Sequence, residues 1–119
     1  MERSNSFYTA TLEMLQANAN AANTSQMQAY MKDIAPYFGV KAPLRKEIFK
    51  EVYAHQAPRS WEELDVECRL LLSAPYRELH YCGMELYFRK KGLWEVDSID
   101  TMEEFMLLTP WWDTIGFMA

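Results

Sequence analysis

Three prolines mark the starts of similar segments in the last two thirds of the chain. Pro43, Pro75 and Pro110 lie 32 and 35 residues apart, and each is followed by an apolar pattern with helical spacing. Proline fits the first turn of a helix, because the N–H that it lacks has no partner inside the helix there. The stretches APLRKEIF (42–49) and APYRELHY (74–81) are also alike. Together these features predict stacked helical hairpins.

Helical periodicity runs along the whole chain, and no stretch alternates like a strand. The spacing of the prolines is shorter than the repeat of about 40–47 residues found in HEAT proteins, so an irregular helical bundle remains an alternative. We expect a polar connection at 18–23. Seven helices are expected. The first covers residues 6–17, and the second is capped by Thr24 or Ser25. The fourth is capped by Ser60, with Glu63 as its capping-box partner. The third, fifth, sixth and seventh begin at Pro43, Pro75, Ser98 and Thr109.

Composition is typical of one folded domain. Half of the 119 residues are hydrophobic, which is enough for a core. No apolar run approaches the roughly 18–20 residues that span a bilayer, and the N-terminus does not resemble a signal peptide, so we expect a cytoplasmic protein without membrane contact. Cys68 and Cys82 are expected to be two buried thiols rather than zinc ligands, since a structural zinc site usually has four ligands. We expect no metal and no cofactor.

Basic residues are concentrated before and inside the third predicted helix. The net charge of −5 argues against strong nucleic-acid binding, but Lys41, Arg45, Lys46 and Lys50 lie close together. Arg45 and Lys46 fall in the first turn of a helix, where acidic residues are preferred. Two interpretations remain open: a solvated helix face, or a helix N-terminus that binds DNA phosphates.

The segment TPWWDTIG (109–116) carries two adjacent tryptophans. Neighbouring helical residues point about 100° apart, so at most one of Trp111 and Trp112 faces straight into a core. The other either covers a helix seam or presents its indole face to a cation or a nucleobase. Asp113 is explained by the helix dipole alone, because an acid in the first turn is favourable.

Three segments resemble one family. AYMKDIAPYFGVKAPLRKE (29–47), YRELHYCGMELYFRKK (76–91) and TPWWDT (109–114) resemble the AlkD family of bacterial DNA alkylation-repair glycosylases, in the same order and spacing. The resemblance implies an all-α, right-handed superhelix of HEAT-like hairpins whose basic concave face holds duplex DNA. It also implies excision of N3- or N7-alkylated purines by hydrolysis of the N-glycosidic bond, without metal or cofactor.

The resemblance assigns roles to individual residues. Trp112 matches the tryptophan of the catalytic groove, and Tyr30 matches a tyrosine close to the DNA. Lys41, Arg45 and Lys46 become candidate DNA-binding residues beside them. The family places its carboxylate where this chain has Gly116, and Asp113 lies a turn away as a weak catalytic substitute.

The same comparison indicates that residues 1–119 form a single HEAT-like domain, the N-terminal portion of a longer fold. We expect an apolar last helix that ends without a cap and is available for self-association. Because Gly116 replaces the carboxylate, whether the chain is an enzyme is left open. The alternative is a non-catalytic HEAT-like module that binds DNA or a protein partner.

Overall fold

The computed structural model describes residues 6–30, 36–94 and Glu104. Over these residues the chain contains helices and no strand, so the all-α prediction is confirmed. The helices are α1 (Phe7–Ala17), α2 (Ala21–Tyr30), α3 (Ala42–Gln56), α4 (Trp61–Ser73) and α5 (Arg77–Arg89), followed by a 3₁₀ turn at Lys91–Leu93. This order of short helices and links is that of an all-α helical repeat fold. None of the described helices is both long enough and apolar enough to cross a membrane.

The chain divides into two compact units. The first consists of Met1–Ala57 with Pro75–Leu79, and the second of Pro58–Ala74 with His80–Ala119. The first residues of α5 therefore belong to the first unit, and the rest of that helix to the second. The single domain expected over 1–119 stays a prediction.

Two of the predicted helix starts are confirmed in atomic detail. α3 begins at Ala42, with Pro43 in its first turn. α4 begins after Ser60, whose hydroxyl accepts a hydrogen bond from the Glu63 N–H at 3.1 Å. The Glu63 carboxylate in turn accepts from the N–H of Arg59 at 2.9 Å, one residue further back than in the usual capping box. These local bonds satisfy N–H groups that lack partners inside the helix.

The second helix starts earlier than predicted. α2 begins at Ala21, so the expected polar connection at 18–23 and the caps at Thr24 or Ser25 were wrong. The side-chain oxygen of Asn20 accepts from the N–H groups of Ala22 at 2.9 Å and Asn23 at 3.3 Å. Asparagine is a preferred N-cap, and its side chain satisfies the first orphan N–H groups. A polar stretch that is typical of a loop is thus the first turn of the helix.

α1 packs on α3 in the first unit. The buried residues of α3 are Ile48, Phe49 and Val52, and Phe7 and Leu15 are buried on α1. The rings of Phe7 and Phe49 meet edge to face with their centroids 5.4 Å apart. This apolar contact decides which face of α3 is turned inward and which is exposed.

The core of the second unit lies where α4 meets α5. Leu64, Cys68, Leu71 and Leu72 are buried on α4, where they follow the helical spacing, and Cys82 is buried on α5. Both cysteines are free thiols, which confirms the prediction of buried thiols. Burial, followed by the charges of Asp65 and Glu67, raises the pKa of the Cys68 thiol. The thiol remains protonated and donates to the Gly83 carbonyl at 3.6 Å.

Gly83 of α5 lies close against Leu71 and Leu72 of α4. A Cβ atom added there lies 3.0 Å from the Cβ of Leu71 and 3.0 Å from the Cγ of Leu72. We predict that Gly83→Val lowers the free energy of unfolding by about 2–3 kcal/mol, because its methyl groups overpack the seam.

Gly92→Val is the control in urea unfolding, since no heavy atom of the described chain lies within 4 Å of a Cβ added at Gly92. Equal unfolding midpoints for the two variants contradict the prediction.

The predicted sixth and seventh helices lie outside the described residues, apart from Glu104. That residue is helical, and its carboxylate accepts from the guanidinium of Arg69 at 2.7 Å. The helix from Ser98 is thus supported at one position, and the helix from Thr109 stays a prediction.

Candidate nucleic-acid interface

The side chain of Lys41 caps none of the N–H groups at the start of α3, and these groups lie beside cationic side chains. The backbone at Lys41 is extended, with φ −74° and ψ 163°, and the helix begins at the next residue. The N–H of Arg45 donates to the Lys41 carbonyl at 2.9 Å, which is the first bond of the helix. Lysine has no acceptor with which to cap N–H groups, so this terminus keeps the positive potential that attracts anions.

The basic residues of α3 form two pairs, each spaced by four residues. Lys41 and Arg45 flank the first turn, and Lys46 and Lys50 follow along the next stretch of helix. The three lysines are exposed and Arg45 is half-buried. Because Ile48, Phe49 and Val52 hold the opposite side of α3 in the core, the lysines are held on the solvent side.

An open surface depression of about 520 Å³ runs along the exposed side of α3. It is lined by Lys46, Glu47, Lys50, Glu51 and Ala54. The two lysines form one column and the two glutamates a neighbouring column, since residues four apart share a helix face. Phosphates are attracted to the lysine column and repelled by the glutamates, so an anion is directed to the lysine side of the depression.

A buried carboxylate holds the segment that leads into α3. Glu78, in the first turn of α5, is fully buried. One of its oxygens accepts from the N–H of Phe38 at 3.0 Å, and the other accepts from the N–H groups of Gly39 and Val40 at 3.0 Å each. Three consecutive backbone N–H groups thus converge on one carboxylate and form an anion-binding concavity that the protein fills itself.

The carbonyl side of the same segment is held by α2. The N–H of Asn20 donates to the Phe38 carbonyl at 2.8 Å, and the amide of Asn23 donates to the Gly39 carbonyl at 3.1 Å. Gly39 has a φ of +92°, a conformation that favours glycine. The segment 36–40 is therefore fixed on both edges of its backbone.

Aromatic stacking adds a further contact within the first unit. The ring of Phe38 stacks on the ring of Tyr76, with centroids 4.0 Å apart and planes 16° from parallel. The N–H of Arg77 donates to the Pro36 carbonyl at 3.0 Å. The start of α5 thus contacts segment 36–40 through Tyr76, Arg77 and Glu78 in succession.

The structure describes some of the predicted site residues and not others. Lys41, Arg45 and Lys46 come together at the start of α3. Tyr30 is the last residue of α2, and its side chain lies outside what the structure describes. Trp112, Asp113 and Gly116 also lie outside the described residues, so their catalytic assignments stay predictions. Among the described residues, no group of three or more His, Cys, Asp or Glu side chains is arranged to hold a metal.

Sequence reasoning missed Glu78 and Asn20. In the repeated stretches APLRKEIF and APYRELHY, Glu78 takes the position of Lys46, so one repeat has a buried acid where the other has an exposed base. That charge inversion was the available signal. It does not identify the partner of Glu78, because the bonded amides lie 38 to 40 residues earlier in the chain.

These features define an all-α repeat protein with a cationic helix start. The sequence matches the family model described as DNA alkylation repair enzyme over residues 11–119, which is most of the chain. The protein therefore belongs to the DNA alkylation repair enzyme family. A comparison with curated proteins gave no match.

Proposed function

We propose that this protein binds duplex DNA and excises N3- or N7-alkylated purines by hydrolysing the N-glycosidic bond. Family membership supports DNA alkylation repair and makes DNA the expected partner. The observation that carries the proposal to this structure is the start of α3, where the exposed Lys41 and Lys46 flank helix N–H groups. Lysines beside a helix N-terminus are a common way to bind phosphate oxygens.

In the proposed mechanism the chain supplies positioning and electrostatic stabilisation. Lys41, Arg45 and Lys46 hold the DNA backbone, and the indole of Trp112 contacts the cationic nucleotide. An alkylated purine carries positive charge and leaves as a neutral base, so it is already a good leaving group. Departure of the base breaks the bond between C1′ and the purine nitrogen and develops positive charge on the sugar, which nearby anionic groups stabilise. Water then adds at C1′ and releases a proton to the solvent, which completes the hydrolysis. Asp113 is the weak candidate for such a group in this chain.

A second candidate function is a HEAT-like module that binds DNA or a protein partner without cleaving a bond. Gly116 favours it, because the resemblance places the family's carboxylate at this position and glycine has no side chain. Both candidates use the same basic helix start, and they differ in whether a base is released. In either case we propose a cytoplasmic location. We also propose self-association through the predicted helix that begins at Thr109, which sedimentation tests.

Base release separates the two functions. A duplex containing 7-methylguanine is incubated with the protein, and free base is measured against the spontaneous rate. We expect release above that rate and a loss of about 10- to 100-fold with Trp112→Ala, the range that loss of one aromatic–base contact gives.

Trp111→Ala is the matched control, because Trp111 is expected to pack against other helices. We expect the folded Trp111→Ala protein to retain base release. If the wild type binds DNA without releasing the base, and Gly116→Asp gains base release, the binding module is favoured. A chain with neither release nor DNA binding contradicts both proposals.

A further inference from the structure

We propose that Glu78 is a positioning residue for DNA binding, which sets the location of Lys41 and the start of α3 by holding segment 36–40. The inference rests on the proposed function, because it requires that the start of α3 contacts DNA. Glu78 lies 32 positions beyond Lys46 and is fully buried, so it does not itself contact a phosphate.

Glu78 is an acidic residue in a buried position. Glu78 is 0% exposed, and an apolar residue fills a buried position of a helix without the cost of removing a charge from water. That cost is offset only where the carboxylate is well bonded, and here both of its oxygens accept backbone N–H groups. The charge at this position therefore serves the amides of segment 36–40 rather than packing.

Segment 36–40 is held by two different parts of the first unit. Glu78 holds the N–H groups of the segment, whereas α2 holds its carbonyl groups through Asn20 and Asn23. Removing the carboxylate releases one edge of the segment and leaves the other edge bound. The expected result is a displaced segment in a folded protein. Because Val40 is bonded to Glu78 and Lys41 follows directly, the displacement is passed to the first turn of α3.

Glu78→Gln tests this positioning without a change of side-chain size. The glutamine amide nitrogen is a donor, so it opposes at least one of the backbone N–H groups that the carboxylate accepts. We expect DNA affinity at ~0.1 M salt to fall roughly tenfold. The slope of log affinity against log salt should fall by about 0.9, the value for one lost phosphate contact.

Leu79→Ala is the matched control. Leu79 is the next residue of α5, is also 0% exposed and belongs to the same unit, but it offers no acceptor to the amides. Both variants are measured at temperatures where circular dichroism shows equal folded fractions. If positioning is the role of Glu78, only Glu78→Gln loses affinity and salt slope. Equal losses in the two variants overturn the proposal and leave Glu78 with a role in stability alone.

Glu78→Ala provides a second readout, which is chemical rescue. Potassium chloride is replaced by potassium formate at constant ionic strength, so that formate can occupy the amides that the carboxylate vacates. We expect formate to restore most of the salt slope in Glu78→Ala and to leave the wild type and Leu79→Ala unchanged. Absence of rescue overturns the proposal. If the wild type itself shows no salt-dependent DNA binding, the proposed function fails instead, and this outcome is distinct from the loss of affinity in the variants alone.

Discussion

Replacing Gly39 by alanine is expected to lower the free energy of unfolding of the protein by about 3 kcal/mol, from a left-handed backbone angle and an overpacked contact together. Gly39 has a φ of +92°, which side chains other than glycine rarely adopt. A methyl group at this position is directed into the backbone carbonyl of Asn20 and lies 2.7 Å from the hydroxyl oxygen of Thr24. Both effects act in the same direction, so this is the largest change in stability that we predict for a single methyl group.

The carbonyl of Asn20 cannot move away easily. The Asn20 side chain caps α2, and its N–H donates to the Phe38 carbonyl at 2.8 Å. The adjustment that accommodates an alanine must therefore shift either the start of α2 or segment 36–40. In the second case the hydrogen bonds from the Gly39 and Val40 N–H groups to Glu78 lengthen as well.

Urea unfolding followed by circular dichroism measures this effect. Gly92→Ala is the control, because within the described residues no heavy atom lies within 4 Å of a Cβ at Gly92 and its φ is not in the left-handed region. We expect a midpoint near that of the wild type for Gly92→Ala and a much lower one for Gly39→Ala. A Gly39→Ala protein as stable as the control contradicts the packing that the structure shows around segment 36–40.

Reversing two charges at the start of α3 is expected to have the largest effect on DNA binding. The double variant Lys41→Glu/Lys46→Glu removes the two proposed phosphate contacts and adds two repulsive carboxylates. The salt slope should fall by about 1.8 or more, which corresponds to a loss of about 50-fold or more in affinity at ~0.1 M salt. Both lysines are exposed, so the substitutions leave the core intact.

The matched control is Arg59→Glu/Lys91→Glu, which changes the net charge by the same amount in the second unit. Both residues are exposed, and the ion pair of Arg59 with Glu63, 3.9 Å long on the surface, contributes little to stability. Fluorescence anisotropy with a labelled duplex at several salt concentrations measures the DNA affinity of the two double variants. If both double variants bind equally weakly, net charge rather than the α3 site governs binding, and the location of the interface is wrong.

The helix starts that the sequence predicted correctly depend on local chemistry. Pro43 is compatible with the first turn of α3, and Ser60 accepts the N–H of a residue only three positions away. Such signals are complete within a few residues, so no tertiary contact is needed to interpret them. The apolar spacing of α4 was equally informative, because the buried Leu64, Cys68, Leu71 and Leu72 follow the helical period.

The predicted start of α2 was wrong because local chemistry alone does not decide it. Asn20 and the residues after it have the composition of a loop, and asparagine is equally favourable in a turn and at an N-cap. The choice between the two depends on contacts outside the stretch. Here the N–H of Asn20 donates to Phe38, and the hydroxyl of Thr24 donates to the Tyr37 carbonyl at 3.4 Å. These bonds fix the start of α2 from a segment that comes after the helix.

The sequence by itself determined that this protein is all-α, that α3 has a proline in its first turn with bases beside it, and that the chain belongs to a DNA alkylation repair family. Each of these is a property of neighbouring residues or of a linear motif. Only the tertiary structure decided that Lys46 is exposed whereas Glu78, at the matching position of the second repeat, is buried beneath three amides. The physical reason is that a buried charge needs partners, and those partners lie at residues 38–40, beyond the reach of any local pattern.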